Sequence, residues 1–178
     1  MENAKVDGIG ITQTIEKSSL KYLKDLLDND FDIRILGESC KADMAVKPKN
    51  IENDAWLPVQ VKATKQSSKN RYSFLVRCND YSNMLLLCVC VQENRIWDID
   101  PLEAKQYNSI HITLNCDTNK FKNCLVDIEN LVKLVSDRYN NLPKLTLDDC
   151  DTPIGETGKQ EKEYRLKRET CLPFLKFE

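Results

Sequence analysis

Apolar residues recur along the first third of the chain at two different spacings. Between Thr12 and Asp28, Leu20, Leu23 and Leu27 fall three and four apart, backed by Tyr22 and Leu26, which is the spacing of one helix face. Thr12 stands where an N-cap is expected. Continued one step toward the N-terminus, the same row reaches Glu16. That carboxylate is either drawn inward to a partner or a metal, or left in water where the stripe surfaces; both readings stay open.

From Phe31 to Leu36 the period changes to two, with Phe31, Ile33 and Ile35 alternating against Asp32 and Arg34, which predicts a half-buried strand. A turn over 37–41 leads to a second strand over 42–47, and a polar loop over 48–54 to a third from Trp56 to Thr64. Further strands are expected over 72–77, 84–91 and 95–99, the last two joined as a hairpin through Gln92, Glu93 and Asn94. Leu125, Ile128, Leu131, Val132, Val135 and Tyr139 then share one face of a second helix running from Leu125 to Asn141. An acidic, turn-rich linker follows, then a helix over about 158–170 and an apolar, aromatic ending over 172–178. The expected organisation is a domain over 1–141 and a linker with a helical appendage over 142–178. Its fold class is α/β, a mixed central sheet flanked by helices that opens helix–strand–strand–strand.

Composition narrows the chemistry. A hydrophobic share of 41% and a charged share of 30% belong to a globular chain with a proper core. The longest apolar run, 84–91, is too short to span a bilayer, and the first residues lack the order of a secretory signal. An intracellular location, cytoplasm or nucleus, is therefore expected, with no membrane partner. The eight cysteines include no CxxC pair, so reduced and mostly buried thiols are expected rather than a disulfide scaffold or a zinc site. His111 is the single histidine and lies between Ile110 and Ile112, which argues for a strand residue rather than the base of a hydrolytic triad. Five glycines form no phosphate-cradling loop.

The net charge of −2 does not mark a nucleic-acid binder, but its distribution does more. Lys62, Lys65, Lys69, Arg71 and Arg77 follow one another with no acid between Lys62 and Arg77. A second, mixed patch runs through Lys159, Lys162, Arg165, Lys167 and Arg168. Lys65, Lys69 and Arg71 are the candidates for contact with a nucleic-acid backbone.

The third strand carries the chemistry. Alternation puts Leu57, Val59, Val61 and Ala63 on one side and Gln60, Lys62 and Thr64 on the other. Asp43, early in the preceding strand, can join them across a hairpin, and Glu16 can come from the helix packed on the sheet. An acid, an amide oxygen and an ammonium on one face suit phosphodiester hydrolysis with a hard cation, which takes oxygen ligands. Asp43 is the expected principal ligand and Gln60 a neutral one, the main-chain carbonyl of Val61 can add another, and Lys62 is the catalytic cation.

Helix–strand–strand–strand with Asp43 followed by Gln60-Val61-Lys62 resembles the PD-(D/E)XK nuclease superfamily, a restriction-endonuclease-like core. It is most similar to the QxK variants, such as group I intron homing endonucleases of this fold and Mrr-like restriction enzymes. The resemblance covers roughly residues 10–100 and implies a site of Glu16, Asp43, Gln60 and Lys62, with Mg²⁺ (Mn²⁺ as its substitute) and DNA as substrate. Ala42 stands where many members have proline, and Gln60 replaces the second carboxylate, which raises the importance of Glu16, or of Glu38 in its place. The crossover helix after the third strand is shrunken or displaced. The implied function is a metal-dependent endonuclease that hydrolyses DNA phosphodiester bonds, as a homodimer where both strands are cut. The alternative is a catalytically inactive module of the same fold that binds nucleic acid or mediates assembly. The remaining alternative is an ordinary strand with a solvated face.

Overall fold

The computed structural model describes residues 8–37, 40–65 and 70–146, with side chains from Thr14 onward. Glu38, Lys69, the helix expected over 158–170, the second basic patch and the aromatic ending lie outside the described residues.

The chain opens with helix α1, Gly8–Leu27, four residues earlier than the Thr12 start expected, so Thr12 lies inside the helix. Leu23 and Leu27 are fully buried, and Leu20, Tyr22 and Leu26 pack beside them. Three strands follow, β1 (Phe31–Ile35), β2 (Met44–Pro48) and β3 (Leu57–Ala63), each antiparallel to the next. Strand β3 then runs parallel to β5 (Leu85–Cys90), which turns antiparallel into β6 (Arg95–Ile99). The link between them is the short 3₁₀ turn Val91–Glu93, closed by Asn94 in the left-handed region at φ 51°. Asparagine is among the residues that adopt this conformation most readily.

A parallel pair needs a crossover, usually a helix. Here the described crossover is strand β4 (Arg71–Leu75), which leaves the main sheet and pairs with β7 (Ser109–Thr113) as a separate two-stranded ribbon. The one-turn helix α2 (Pro101–Ala104) precedes β7, capped by the Asp100 carboxylate on the N–H of Leu102.

The second long helix differs from its expected span. Helix α3 covers only Leu131–Asn141. Leu125–Val126 forms β8, which pairs with β6 and completes a mixed six-stranded sheet in the order β1-β2-β3-β5-β6-β8, and Ile128–Asn130 is a 3₁₀ turn. The periodicity misled because Leu125 and Ile128, which fit the helical row, are exposed at 41% and 38% and pack on nothing in it. Leu131, Val135 and Tyr139 carry the buried face.

The result is three layers. Leu57, Val59 and Val61 of β3 join Leu85, Leu87 and Val89 of β5 beneath the two long helices. On the other face, Leu86, Cys88 and Trp97 are covered by Tyr72, Phe74, Ile110 and Ile112 of the ribbon. The Arg138 guanidinium of α3 reaches Asp98 of β6 at 2.6 Å. After α3 the chain turns back, and Leu145 exchanges both main-chain hydrogen bonds with Trp56 (2.8 and 2.9 Å). Of the six described cysteines only Cys88 and Cys90 are buried, so the expectation of mostly buried thiols fails for Cys40, Cys78, Cys116 and Cys124. Among the described residues no helix is long and apolar enough to cross a membrane. His111 is an exposed residue of β7, as its apolar neighbours suggest.

Candidate functional site

The site begins where β2 and β3 part. Met44 opposes Val59 in the ladder, and the N–H of Asp43 also donates to the Val59 carbonyl, at 3.0 Å. Two residues of one strand against one of the next is the geometry of a bulge, which re-aims a side chain at the end of a pairing. Asp43 uses that freedom. Its Oδ2 accepts the main-chain N–H of Val61 at 2.7 Å, taking the place of a backbone acceptor that β2 no longer supplies. In a strand the N–H and C=O of one residue point the same way, so the Val61 carbonyl opens into the same gap.

Gln60 fills that gap. Its side chain is buried, 5% exposed, and its amide nitrogen donates to Asp43 Oδ2 and lies 3.5 Å from the Val61 carbonyl oxygen. The amide therefore sits between the two acceptor oxygens that sequence reasoning had grouped with it. Turned about its last bond, it would present Oε1 instead, and the gap would be lined by a carboxylate, an amide oxygen and a peptide carbonyl. That set is hard, oxygen-only and suited to a cation of the Mg²⁺ class.

Electrostatics fit the same picture. Burial pushes the Asp43 carboxyl above the usual carboxylate range, while the Val61 N–H and the Lys62 ammonium pull it back. Glu16 adds a smaller upward push through its negative charge. Glu16 itself is exposed on α1, the reading in which the apolar stripe surfaces at its first turn and leaves the carboxylate in water. The structure thus gathers Asp43, Gln60, Val61 and Lys62, and leaves Glu16 at a distance where its charge is felt. Among the described residues no three of His, Cys, Asp and Glu lie grouped as a metal-binding cluster.

Lys62 lies two residues beyond Gln60 and, by the β3–β5 register, shares its face: Gln60 opposes Leu86 and Lys62 opposes Cys88. Its ammonium stands over the ring of Tyr81, 5.2 Å from the centroid. A cation above an aromatic face is attracted electrostatically by the ring. The Tyr81 hydroxyl donates to the Val76 carbonyl at 3.3 Å, fixing the ring. Sequence reasoning missed Tyr81, because it lies in the short turn after β4 where no period marks it. Lys65 is exposed in the loop after β3, and Arg71 opens β4 with an exposed side chain.

No family model matches the chain, and no curated protein matches its sequence. Its fold is similar to the solved structure of a bacterial homing endonuclease, with a TM-score of 0.47 and 14% identity, over 79% of this chain and 99% of that one.

Proposed function

We propose that the chain is a metal-dependent endonuclease of the PD-(D/E)XK kind, hydrolysing phosphodiester bonds of DNA. The observation that carries this reading is the position of the Gln60 amide nitrogen, a buried donor between the Asp43 carboxylate and the Val61 carbonyl. A positively polarised group is held where three oxygen ligands would face a cation. Asp43, Gln60 through Oε1 and the Val61 carbonyl would hold Mg²⁺ or Mn²⁺, with Glu16 as the further carboxylate. Bound there, the metal supplies a Lewis acid for the phosphate and acidifies a water.

The chain's own residues do the rest. Lys62, its ammonium over the Tyr81 ring, orients the attacking water and balances negative charge that builds on the phosphate. Lys65, Lys69 and Arg71 offer cations to the DNA backbone, and a homodimer would bring two such sites to opposite strands.

The test is cleavage of supercoiled and linear duplex DNA in Mg²⁺ or Mn²⁺. Lys62→Ala and Asp43→Ala are each expected to lower the rate by at least about a hundredfold. Activity that survives both substitutions would overturn the site. A second reading, a non-catalytic DNA-binding module, is favoured by one observation: the exposed Glu16 leaves Asp43 as the single carboxylate in contact with Gln60 and Val61 among the described residues. Salt-sensitive DNA binding without cleavage in either metal would select that reading.

A further inference from the structure

Strand β4 ends at Leu75, and residues 76–84 carry the chain to the start of β5. On the way, Arg77 and Cys78 stand side by side in the left-handed region, at φ 57° and 53°. Residues with a Cβ visit this region singly rather than in pairs, and such strain persists only where the surroundings over-determine it. Here they do. The N–H groups of Val76 and Arg77 both donate to the Asn108 carbonyl, at 3.0 and 2.8 Å, and that of Cys78 donates to the Tyr107 carbonyl at 2.9 Å. Asp80 accepts from the Ser82 N–H and from the Lys105 ammonium, each at 3.0 Å.

What this strained turn delivers is Tyr81. Its side chain is 3% exposed and belongs to the apolar cluster that contains Leu86 and Cys88. The hydroxyl is engaged twice, donating to the Val76 carbonyl at 3.3 Å and accepting from the Asn79 amide at 3.1 Å. Both bonds return to the turn itself, so they set the plane of the ring. One face of that ring receives the Lys62 ammonium, 5.2 Å from the centroid and inside the roughly 6 Å over which a ring attracts a cation. Lys62 has a flexible four-carbon stem, and its neighbour across the register is the fully buried Cys88. From its place over the ring, the Lys62 charge still reaches Asp43.

We propose that Tyr81 is the positioning residue for Lys62: its ring, set by the strained turn, fixes where the ammonium stands relative to Asp43 and Gln60. The inference rests on the nuclease reading above for the reaction that Lys62 serves. Tyr81 touches no reacting atom and acts only through the lysine. A positioned group displaced by about 1 Å can lose on the order of a hundredfold in rate, so a ring that removes the stem's freedom has a catalytic consequence.

The experiment compares the full chain with Tyr81→Leu, Tyr81→Phe and Lys62→Ala. Cleavage of duplex DNA in Mn²⁺, Mn²⁺ titration and thermal unfolding are measured for each. Beside them, NMR of the metal-free proteins follows the lysine methylene next to the ammonium, whose protons an aromatic face shifts upfield. The Lys62 signal is assigned by its loss in Lys62→Ala and is expected to be shifted in the wild-type chain. Tyr81→Phe keeps the ring and loses the hydroxyl bonds, so it should melt lower yet keep the shift and a cleavage rate close to wild type. Tyr81→Leu should lose the shift and cut about ten- to a hundredfold more slowly, with Mn²⁺ affinity unchanged. An unshifted Lys62 signal in the wild-type chain overturns the proposal, and needs no Tyr81 variant to fold. So does a Tyr81→Leu variant that cuts at full rate, or a Tyr81→Phe variant as slow as Tyr81→Leu. A shift that depends on the ring, without cleavage by any of the proteins, supports the placement and removes the nuclease. Full-rate cleavage by Tyr81→Leu does the reverse.

Discussion

Asp43 and Val61 are joined by a hydrogen bond of 2.7 Å from a main-chain N–H to a side-chain carboxylate, at the point where a backbone ladder would otherwise continue. The bond has two consequences. It finishes the pairing of β2 with β3, and it holds a charged oxygen in a half-buried gap. The first role needs only an acceptor, whereas the second costs stability. A carboxyl raised by burial contributes stability below the ordinary carboxylate range and loses it as pH rises through its folded value.

Asp43→Asn separates the two roles. The amide keeps an acceptor for Val61 and removes the charge, and the Gln60 amide can turn to meet it. The variant is expected to melt no lower than the wild-type chain at pH 7, and to lose cleavage and any melting-point gain from Mn²⁺, since a ligand that binds only the folded state raises stability. Differential scanning calorimetry with and without Mn²⁺ decides the matter. A fall of more than about 5 °C would mean that the carboxylate is structural.

Tyr72 gives a prediction at the opposite end of the pH scale. Its ring is fully buried against Trp97 and its hydroxyl donates to Glu93, so burial first, and Glu93 second, push its pKa up to about 12 from 10.0. The folded state holds this proton more tightly than the unfolded one. The stability it contributes is therefore complete below pH 10 and lost as pH rises toward 12. Denaturation midpoints should fall across that window for the wild-type chain and fall less for Tyr72→Phe. Equal slopes in the two proteins would refute the assignment.

Much of this was legible beforehand, for physical reasons that differ by element. Strand β3 was readable because strict alternation leaves Gln60 and Lys62 opposite Val59 and Val61 whatever the neighbours are, and burial only confirms the sides. The first turns of α3 were misread because Leu125 and Ile128 satisfy a helical period that only packing could test, and packing leaves both exposed. Glu16 stayed open since a stripe does not say where it meets the surface. The bulge at Asp43 and the ring beneath Lys62 were invisible, because both depend on where strands part rather than on any spacing within one.

Lys144 is 7% exposed, with its ammonium on the Leu142 carbonyl and 4.6 Å from the centre of the Tyr139 ring. Burial holds its pKa below the ordinary lysine value of 10.5. A lysine depressed in this way penalises the folded state while it stays charged, and the penalty vanishes once the unfolded chain also loses the proton. Lys144→Met, which keeps the aliphatic stem, should therefore raise the melting temperature at pH 7 by a few degrees, on the order of the 2–4 °C that 1 kcal/mol brings in a chain this size. The gain should shrink as pH approaches 10.5. A destabilised variant at neutral pH would show that the ammonium contributes more than its desolvation costs.

Gln60→Glu tests the charge that the site lacks. Gln60 is the same length as glutamate and already touches Asp43, so the substitution sets two carboxylates in one buried gap without new bulk. Like charges that close cannot both ionise cheaply, and one of the pair takes up a proton. The metal-free variant should be less stable by about 1–3 kcal/mol at pH 7. A divalent cation removes that repulsion and gains a second charged ligand, so Mn²⁺ should bind at least about tenfold more tightly and restore the lost stability. The two effects have opposite signs and one origin, which is what makes the pair informative. Isothermal titration with Mn²⁺ beside chemical denaturation measures both. A variant that is destabilised but gains no metal affinity would mean that the gap between Asp43 and Val61 is a hydrogen-bonding niche for the Gln60 amide and not a cation site.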